Sequence, residues 1–174
     1  DAAPHAYAED RPIAQGTDIH DATPPPYDIV GDVHGCIDEL RELLDRLGYR
    51  LDGDVVRHPE GRTLIFLGDL NDRGPGSIVV WSIALASIDA GTALYVPGNH
   101  DSKFARYLMG RNVQLTYGLA ETVDELNALP PRRRQAVARG IADLLASTPP
   151  YRILDQGRLV VAHAGIEEWM IGKV

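Results

Sequence analysis

Leu64-Ile65-Phe66-Leu67-Gly68-Asp69-Leu70-Asn71-Asp72-Arg73-Gly74 begins as four consecutive apolar residues and ends in two carboxylates, an arginine and glycines. A short apolar run of this kind suits a strand buried on both faces of an α/β sheet, and ligands of such sheets bind beyond the carboxyl ends of the strands. Asp69 is the first charged residue at that end. The arrangement recurs. Asp28-Ile29-Val30-Gly31 leads into Asp32 and His34, Ala93-Leu94-Tyr95-Val96 leads through Pro97-Gly98 into Asn99, His100 and Asp101, and Arg158-Leu159-Val160-Val161-Ala162 leads into His163. Each run delivers Asp, Asn or His onto a glycine-containing turn. A shared metal centre accounts for all of them, and its mixed oxygen and nitrogen donors suit Mn, Fe, Zn or Ni better than Ca or Mg.

The chain of 174 residues carries a formal charge of −8 and one cysteine, Cys36. The length allows one well-packed domain. The acidic balance argues against a surface that coats nucleic acid, which needs clustered Lys and Arg. No apolar run approaches the ~20 residues that span a bilayer and no charged-apolar-small leader is present, so a cytoplasmic location is expected. A lone cysteine forms no intrachain disulfide and reads as a small packing residue.

Residues 1–26 mix Ala, Asp, Pro, Gly and His without a period and close on Pro24-Pro25-Pro26. They read as a flexible tail or linker, with His5 and His20 solvated. The domain is expected over residues 27–174. Ile37, Leu40, Leu43, Leu44 and Leu47 at helical spacing predict an amphipathic helix closed by Gly48. A short hairpin is expected around Val55 and Val56, with His58 in a loop. Ser77 to Ala90 reads as a buried helix capped by Ser77, with Trp81 in the core. Helices are further expected over 102–109, 119–129 and 132–147, and a hairpin from Tyr151 to Ala162. Arg132-Arg133-Arg134 reads as a solvated basic face.

Read together, Gly31-Asp32-Val33-His34-Gly35, Gly68-Asp69-Leu70-Asn71-Asp72-Arg73-Gly74, Gly98-Asn99-His100-Asp101 and His163-Ala164-Gly165 resemble the signature blocks of calcineurin-like metallophosphoesterases of the phosphoprotein-phosphatase branch. The match runs from Tyr27 to the C-terminus. It implies an α/β fold, a four-layer αββα sandwich of two mixed β-sheets flanked by helices, with the C-terminal part of the second sheet missing from this chain. It also implies a hydrolase that binds two divalent metal ions, Mn foremost, with Fe, Zn, Ni or Co as alternatives. Asp32 and His34 would bind one ion, Asp69 would bridge both, and Asn99 and His163 would bind the second. A water shared by the ions would attack phosphorus. His100 would be the general acid, Asp72 would orient it, and Arg73, Asn99 and His100 would contact the substrate. Asn71 stands where the family varies. A further metal-binding histidine of the family falls beyond the block of His163, past the end of this chain, so the second ion is expected to bind more weakly.

Within the family, His58-Pro59-Glu60-Gly61-Arg62 and Gly110-Arg111-Asn112-Val113-Gln114 are similar to segments of symmetric bis(5'-nucleosyl)-tetraphosphatases and of the phosphatase module of bacterial polynucleotide kinase-phosphatases. Those groups often have His where Tyr117 stands. A dinucleoside tetraphosphate is therefore the leading substrate. A phosphoprotein or a 2',3'-end of a nucleic acid is the runner-up, and a non-catalytic phosphate-binding regulatory module is the reading of a different class. The partner expected is a small phosphorylated substrate, with no membrane. An upstream domain behind the prolines, or pairing through an exposed sheet edge, would also fit this layout.

Overall fold

The computed structural model describes residues 26–170. The expected tail lies outside them except for Pro26, as do His5 and His20. Three short strands, β1 (Tyr27–Val30), β4 (Thr63–Phe66) and β5 (Ala93–Tyr95), form a parallel sheet in the order β1-β4-β5. The central strand carries the quoted apolar run, and Leu64, Ile65 and Phe66 are fully buried. Parallel neighbours need crossovers. These are α1 (Ile37–Arg46) with the hairpin β2 (Arg50–Asp52) and β3 (Val55–Arg57), and then α2 (Ser77–Asp89). In register, Val30 lies beside Phe66 and Phe66 beside Tyr95. The three strands therefore end level, and the loops bearing Asp32, Asp69 and Asn99 leave from one edge.

Alternation along β4 divides the core. Leu64 and Phe66 face the helical side, where α1 and α2 pack with α3 (Asn99–Leu108), α4 (Leu119–Ala128) and α5 (Pro131–Ser147). Ile65 faces the other side and meets Val96 and Val161. Val161 belongs to the antiparallel pair β6 (Tyr151–Leu154) and β7 (Leu159–Ala162), which represents the second sheet among the described residues. Arg152 Nε donates to the Tyr95 carbonyl at 2.9 Å and ties this hairpin to β5. The helix α2 is apolar on nearly every side, as befits an element buried between sheet and helices. Trp81 lies wholly in that core. Among the described residues no helix is long and apolar enough to cross a membrane.

Two helix starts differ from expectation. Gly76, not Ser77, precedes the first turn of α2. The Ser77 hydroxyl instead accepts the Asp72 N–H at 3.0 Å, while the Glu125 carboxylate of α4 accepts the Ser77 and Ile78 N–H groups at 3.3 and 3.0 Å. The orphan donors of the first turn are thus met by a distant acid. The third helix begins at Asn99 rather than Ser102, because Asp101 reaches back to the Gly98 N–H at 2.9 Å and closes the first turn.

Below the sheet, Arg62 grips Asp28 through two bonds of 2.6 and 2.5 Å, and the Tyr49 hydroxyl donates to the same carboxylate at 2.8 Å. The Arg62 bonds, aided by Tyr49, hold the Asp28 carboxyl below its ordinary value against the opposing effect of burial. A carboxylate depressed in the folded state stabilises the fold above its unfolded value of ~3.9, and that contribution disappears as pH falls through the lower folded value. Asp28→Asn is therefore expected to flatten the acid limb of stability below pH ~4. Urea midpoints from pH 2 to 7 check this; a limb as steep as that of the unsubstituted protein would contradict it.

Candidate active site

The loops after β1, β4 and β5 are sewn together by their own backbones. The Asp69 carbonyl accepts the Val33 and His34 N–H groups at 3.1 and 2.8 Å, and the Leu70 carbonyl accepts Gly35 N–H at 2.8 Å. A single buried side chain completes the join. Asp101 Oδ2 accepts from Asp69 N, Gly98 N and the Tyr95 hydroxyl at 2.8, 2.9 and 2.7 Å, and Oδ1 accepts from Leu70 N at 2.8 Å. Burial pushes the Asp101 carboxyl up, opposed by these donors. Burial likewise pushes the Tyr95 hydroxyl up, which keeps it a neutral donor. Four non-glycine residues here, His34, Asp69, Asp72 and Arg73, have left-handed backbones, with φ of 47°, 50°, 74° and 68°. Such conformations cost on the order of 1–3 kcal/mol each and persist only where the surroundings impose them. A Cβ on Gly98 would strike Asp69 Oδ1, so this approach requires glycine.

These turns aim Asp32, His34, Asp69, Asn99 and His163 at one space. His34 Nε2 lies 3.7 Å from both Asp32 Oδ2 and Asp69 Oδ2. His163 Nε2 lies 3.6 Å from Asp69 Oδ2 and 3.4 Å from Asn99 Oδ1, and its Nδ1 is 3.9 Å from Asp32 Oδ1. In both rings Nδ1 is spent on a carbonyl, that of Asn71 at 2.9 Å for His34 and that of Leu67 at 2.6 Å for His163. A carbonyl only accepts, so Nδ1 carries a proton, and in the neutral imidazole Nε2 keeps its lone pair for a ligand. His34 Nε2 is buried with no hydrogen-bond partner. The space is thus lined by two carboxylates, two imidazole lone pairs and an amide oxygen, acceptors all. Such a set fits a divalent cation, and fixing the far nitrogen to a carbonyl is how ligating histidines are oriented.

Two overlapping trios could hold metal, His34-Asp69-His100 and Asp32-Asp69-His163. Asp69 belongs to both, as a bridging carboxylate would. Asp32 stands within 4 Å of both histidines, so the geometry does not divide the ligands between two ions as the sequence reading does.

His100 is nearly buried on the first turn of α3, with its N–H donated to Asp69 Oδ1 at 2.9 Å. Its Nδ1 pairs with Asp72 Oδ2 at 2.6 Å, and Asp72 Oδ1 accepts the Thr122 hydroxyl at 2.8 Å. Asp72 is thereby committed to His100 and not to its neighbour Arg73. Arg73 is exposed, and its guanidinium has no partner among the described residues. His58 is anchored elsewhere, against the Leu47 carbonyl and the Glu60 N–H.

Sequence reasoning named every converging residue but assigned no task to three that hold them. Asp101 stood inside the quoted Gly98–Asp101 block. Asn71, set aside as variable, positions His34 through its carbonyl and accepts Trp81 Nε1–H at 3.2 Å through its side chain. Thr122, which fixes Asp72, lies 50 residues away from it in sequence, and no local pattern points to it.

Among curated proteins, the chain is 48% identical over 147 residues to the asymmetrical bis(5'-nucleosyl)-tetraphosphatase PrpE of Geobacillus thermodenitrificans, covering 84% of this chain and 60% of that protein. It is 46% identical over 147 residues to the protein of the same name from Bacillus subtilis, with the same coverage. The chain thus spans about 60% of the length of these relatives. A solved structure provisionally assigned as a diadenosine tetraphosphatase matches with a TM-score of 0.54 and 25% identity, over 83% of this chain and 52% of that one. The family model described as calcineurin-like phosphoesterase matches residues 25–171. With its signature turns converging at one sheet edge and that match spanning well over half of the chain, the protein belongs to the calcineurin-like phosphoesterase family.

Proposed function

We propose that this chain carries a two-metal phosphoric-anhydride hydrolase site whose substrate is a dinucleoside tetraphosphate, cleaved asymmetrically. The observation that carries the reading is the buried, partnerless Nε2 of His34 in a ring of acceptors, an arrangement that a divalent cation satisfies. The names of the relatives favour the substrate and the asymmetrical outcome, where the sequence resemblance was to symmetric enzymes. Asp32, His34, Asp69, Asn99 and His163 would hold the ions, with Mn, Fe, Zn or Ni suited to the mixed donors and Mn foremost by the family resemblance. When bound, divalent cations activate water and neutralise charge on the phosphoryl group.

The remaining work belongs to the protein. Arg73, with its guanidinium unengaged, holds two phosphoryl oxygens through its planar fork. His100 donates the proton on Nε2 to the oxygen that departs as the P–O bond breaks. Asp72, locked by Thr122, fixes the ring and stabilises the imidazolium before that transfer.

Chromatography of products from diadenosine tetraphosphate with Mn tests the reading, alongside a phosphopeptide and a 3'-phosphate oligonucleotide. ATP plus AMP is expected; two ADP would favour symmetric cleavage, and turnover confined to either other substrate would refute the assignment. Absence of turnover on all three would favour a binding module. His100→Asn is expected to lower kcat by about 100-fold on phenyl phosphate, whose phenolate must be protonated as it leaves, and far less on p-nitrophenyl phosphate, whose leaving group needs little protonation. Equal losses on both would remove His100 from the proton-donor role.

A further inference from the structure

A cleft of about 630 Å³ opens from the cluster of acceptors at Asn99 and runs between α3 and the loop that follows it. Asn99, Lys103, Arg106, Asn112, Gln114 and Tyr117 line it, and no carboxylate does among the described residues. In a chain of net charge −8, such a wall is a local exception. Asn99, Lys103 and Arg106 recur at helical spacing on α3 and climb ~10 Å away from the cluster.

At the cleft's far wall stands Tyr117, 79% exposed, with a left-handed φ of 63°. A bulky side chain in that region is an outlier, and exposure removes core packing as the reason. Its setting is fixed on both sides. Gly118 follows with φ of 93°, its missing Cβ letting the turn lie against the Arg73 backbone. Lys103 Nζ donates to the Thr116 carbonyl and hydroxyl at 3.1 and 2.9 Å and lies 5.5 Å from the centre of the Tyr117 ring. One part of the ring is backed by a cation, and the rest is open.

We propose that this cleft is the nucleotide subsite of the enzyme: the Tyr117 ring stacks on a base of the substrate, and Lys103 and Arg106 hold the phosphates beyond the one that reacts. The proposal rests on the nucleotide reading above. Stacking on an aromatic ring tolerates any base, so the subsite selects nucleotides over other phosphates without choosing among them.

The test compares diadenosine tetraphosphate with p-nitrophenyl phosphate, which carries neither a base nor a phosphate beyond the one that reacts. In Tyr117→Ala, the ratio of kcat/KM for the first to that for the second should fall roughly tenfold. In Lys103→Ala/Arg106→Ala, it should fall by at least as much, with a weaker dependence of KM on salt. An unchanged ratio in both variants overturns the subsite. Calorimetric titration with ATP and with tripolyphosphate separates this from failure of the substrate reading. If diadenosine tetraphosphate is not turned over, Tyr117→Ala should still bind ATP about tenfold more weakly while binding tripolyphosphate as before. Equal affinity for ATP, or no ATP binding by the unsubstituted protein, overturns the proposal. The thermal melt of Tyr117→Ala should match that of the unsubstituted protein, since Tyr117 is not in the core.

Discussion

Replacing Asp69 with asparagine is expected to lower kcat/KM by about 10³- to 10⁴-fold, or roughly 4–5 kcal/mol of transition-state stabilisation. The size follows from the number of groups that depend on this carboxylate. Its Oδ2 faces the Nε2 lone pairs of His34 and His163, and its Oδ1 accepts the His100 N–H. Asparagine preserves shape and one oxygen but removes the negative charge, and its amide would present hydrogens to atoms that need a cation. Titration with Mn is expected to show affinity falling with activity. A variant that keeps Mn affinity and turnover within threefold of the unsubstituted protein would contradict the bridging role.

Asp101→Ala is expected to destabilise the fold by about 4 kcal/mol, although this residue touches no substrate. Its carboxylate satisfies three backbone N–H groups and one hydroxyl, drawn from β5, the loop after β4 and the start of α3. Removing it leaves these donors buried without acceptors. Asp101→Asn should fall in between, because an amide oxygen in the Oδ2 position keeps three bonds while its NH2 confronts Leu70 N–H. Tyr95→Phe removes one donor and should cost about 1 kcal/mol. Urea midpoints rank the series. A cost for Asp101→Ala no larger than that for Tyr95→Phe would show that the loops are held by other means.

These expectations mark where the sequence could be read and where it could not. Strand-then-turn units are local, so the ends of β1, β4, β5 and β7, and the residues they deliver, were legible as short apolar runs followed by Asp, Asn or His. Their meeting was not local. It depends on the level registration of Val30, Phe66 and Tyr95 and on a β6–β7 hairpin tied back through Arg152. The start of α3 was misplaced because Asp101 bonds backward to Gly98, a contact that single-residue propensities do not encode. Ser77 looked like a helix cap for the opposite reason. Its hydroxyl is taken by Asp72, and the cap comes from Glu125, a residue of another helix. Asp72 stands beside Arg73 in the sequence, yet its partner in the structure is the distant His100, the residue it was expected to orient. Burial decided it, since the pair His100–Asp72 is enclosed whereas Arg73 is exposed.

The acceptors gathered at the sheet edge are expected to enclose cations. Anomalous diffraction at the manganese edge, from crystals grown with Mn, tests this most directly. Two peaks are predicted, both in contact with Asp69, one also at His34 and the other at His163. Crystals in which no anomalous density lies among Asp32, His34, Asp69 and His163 would contradict it.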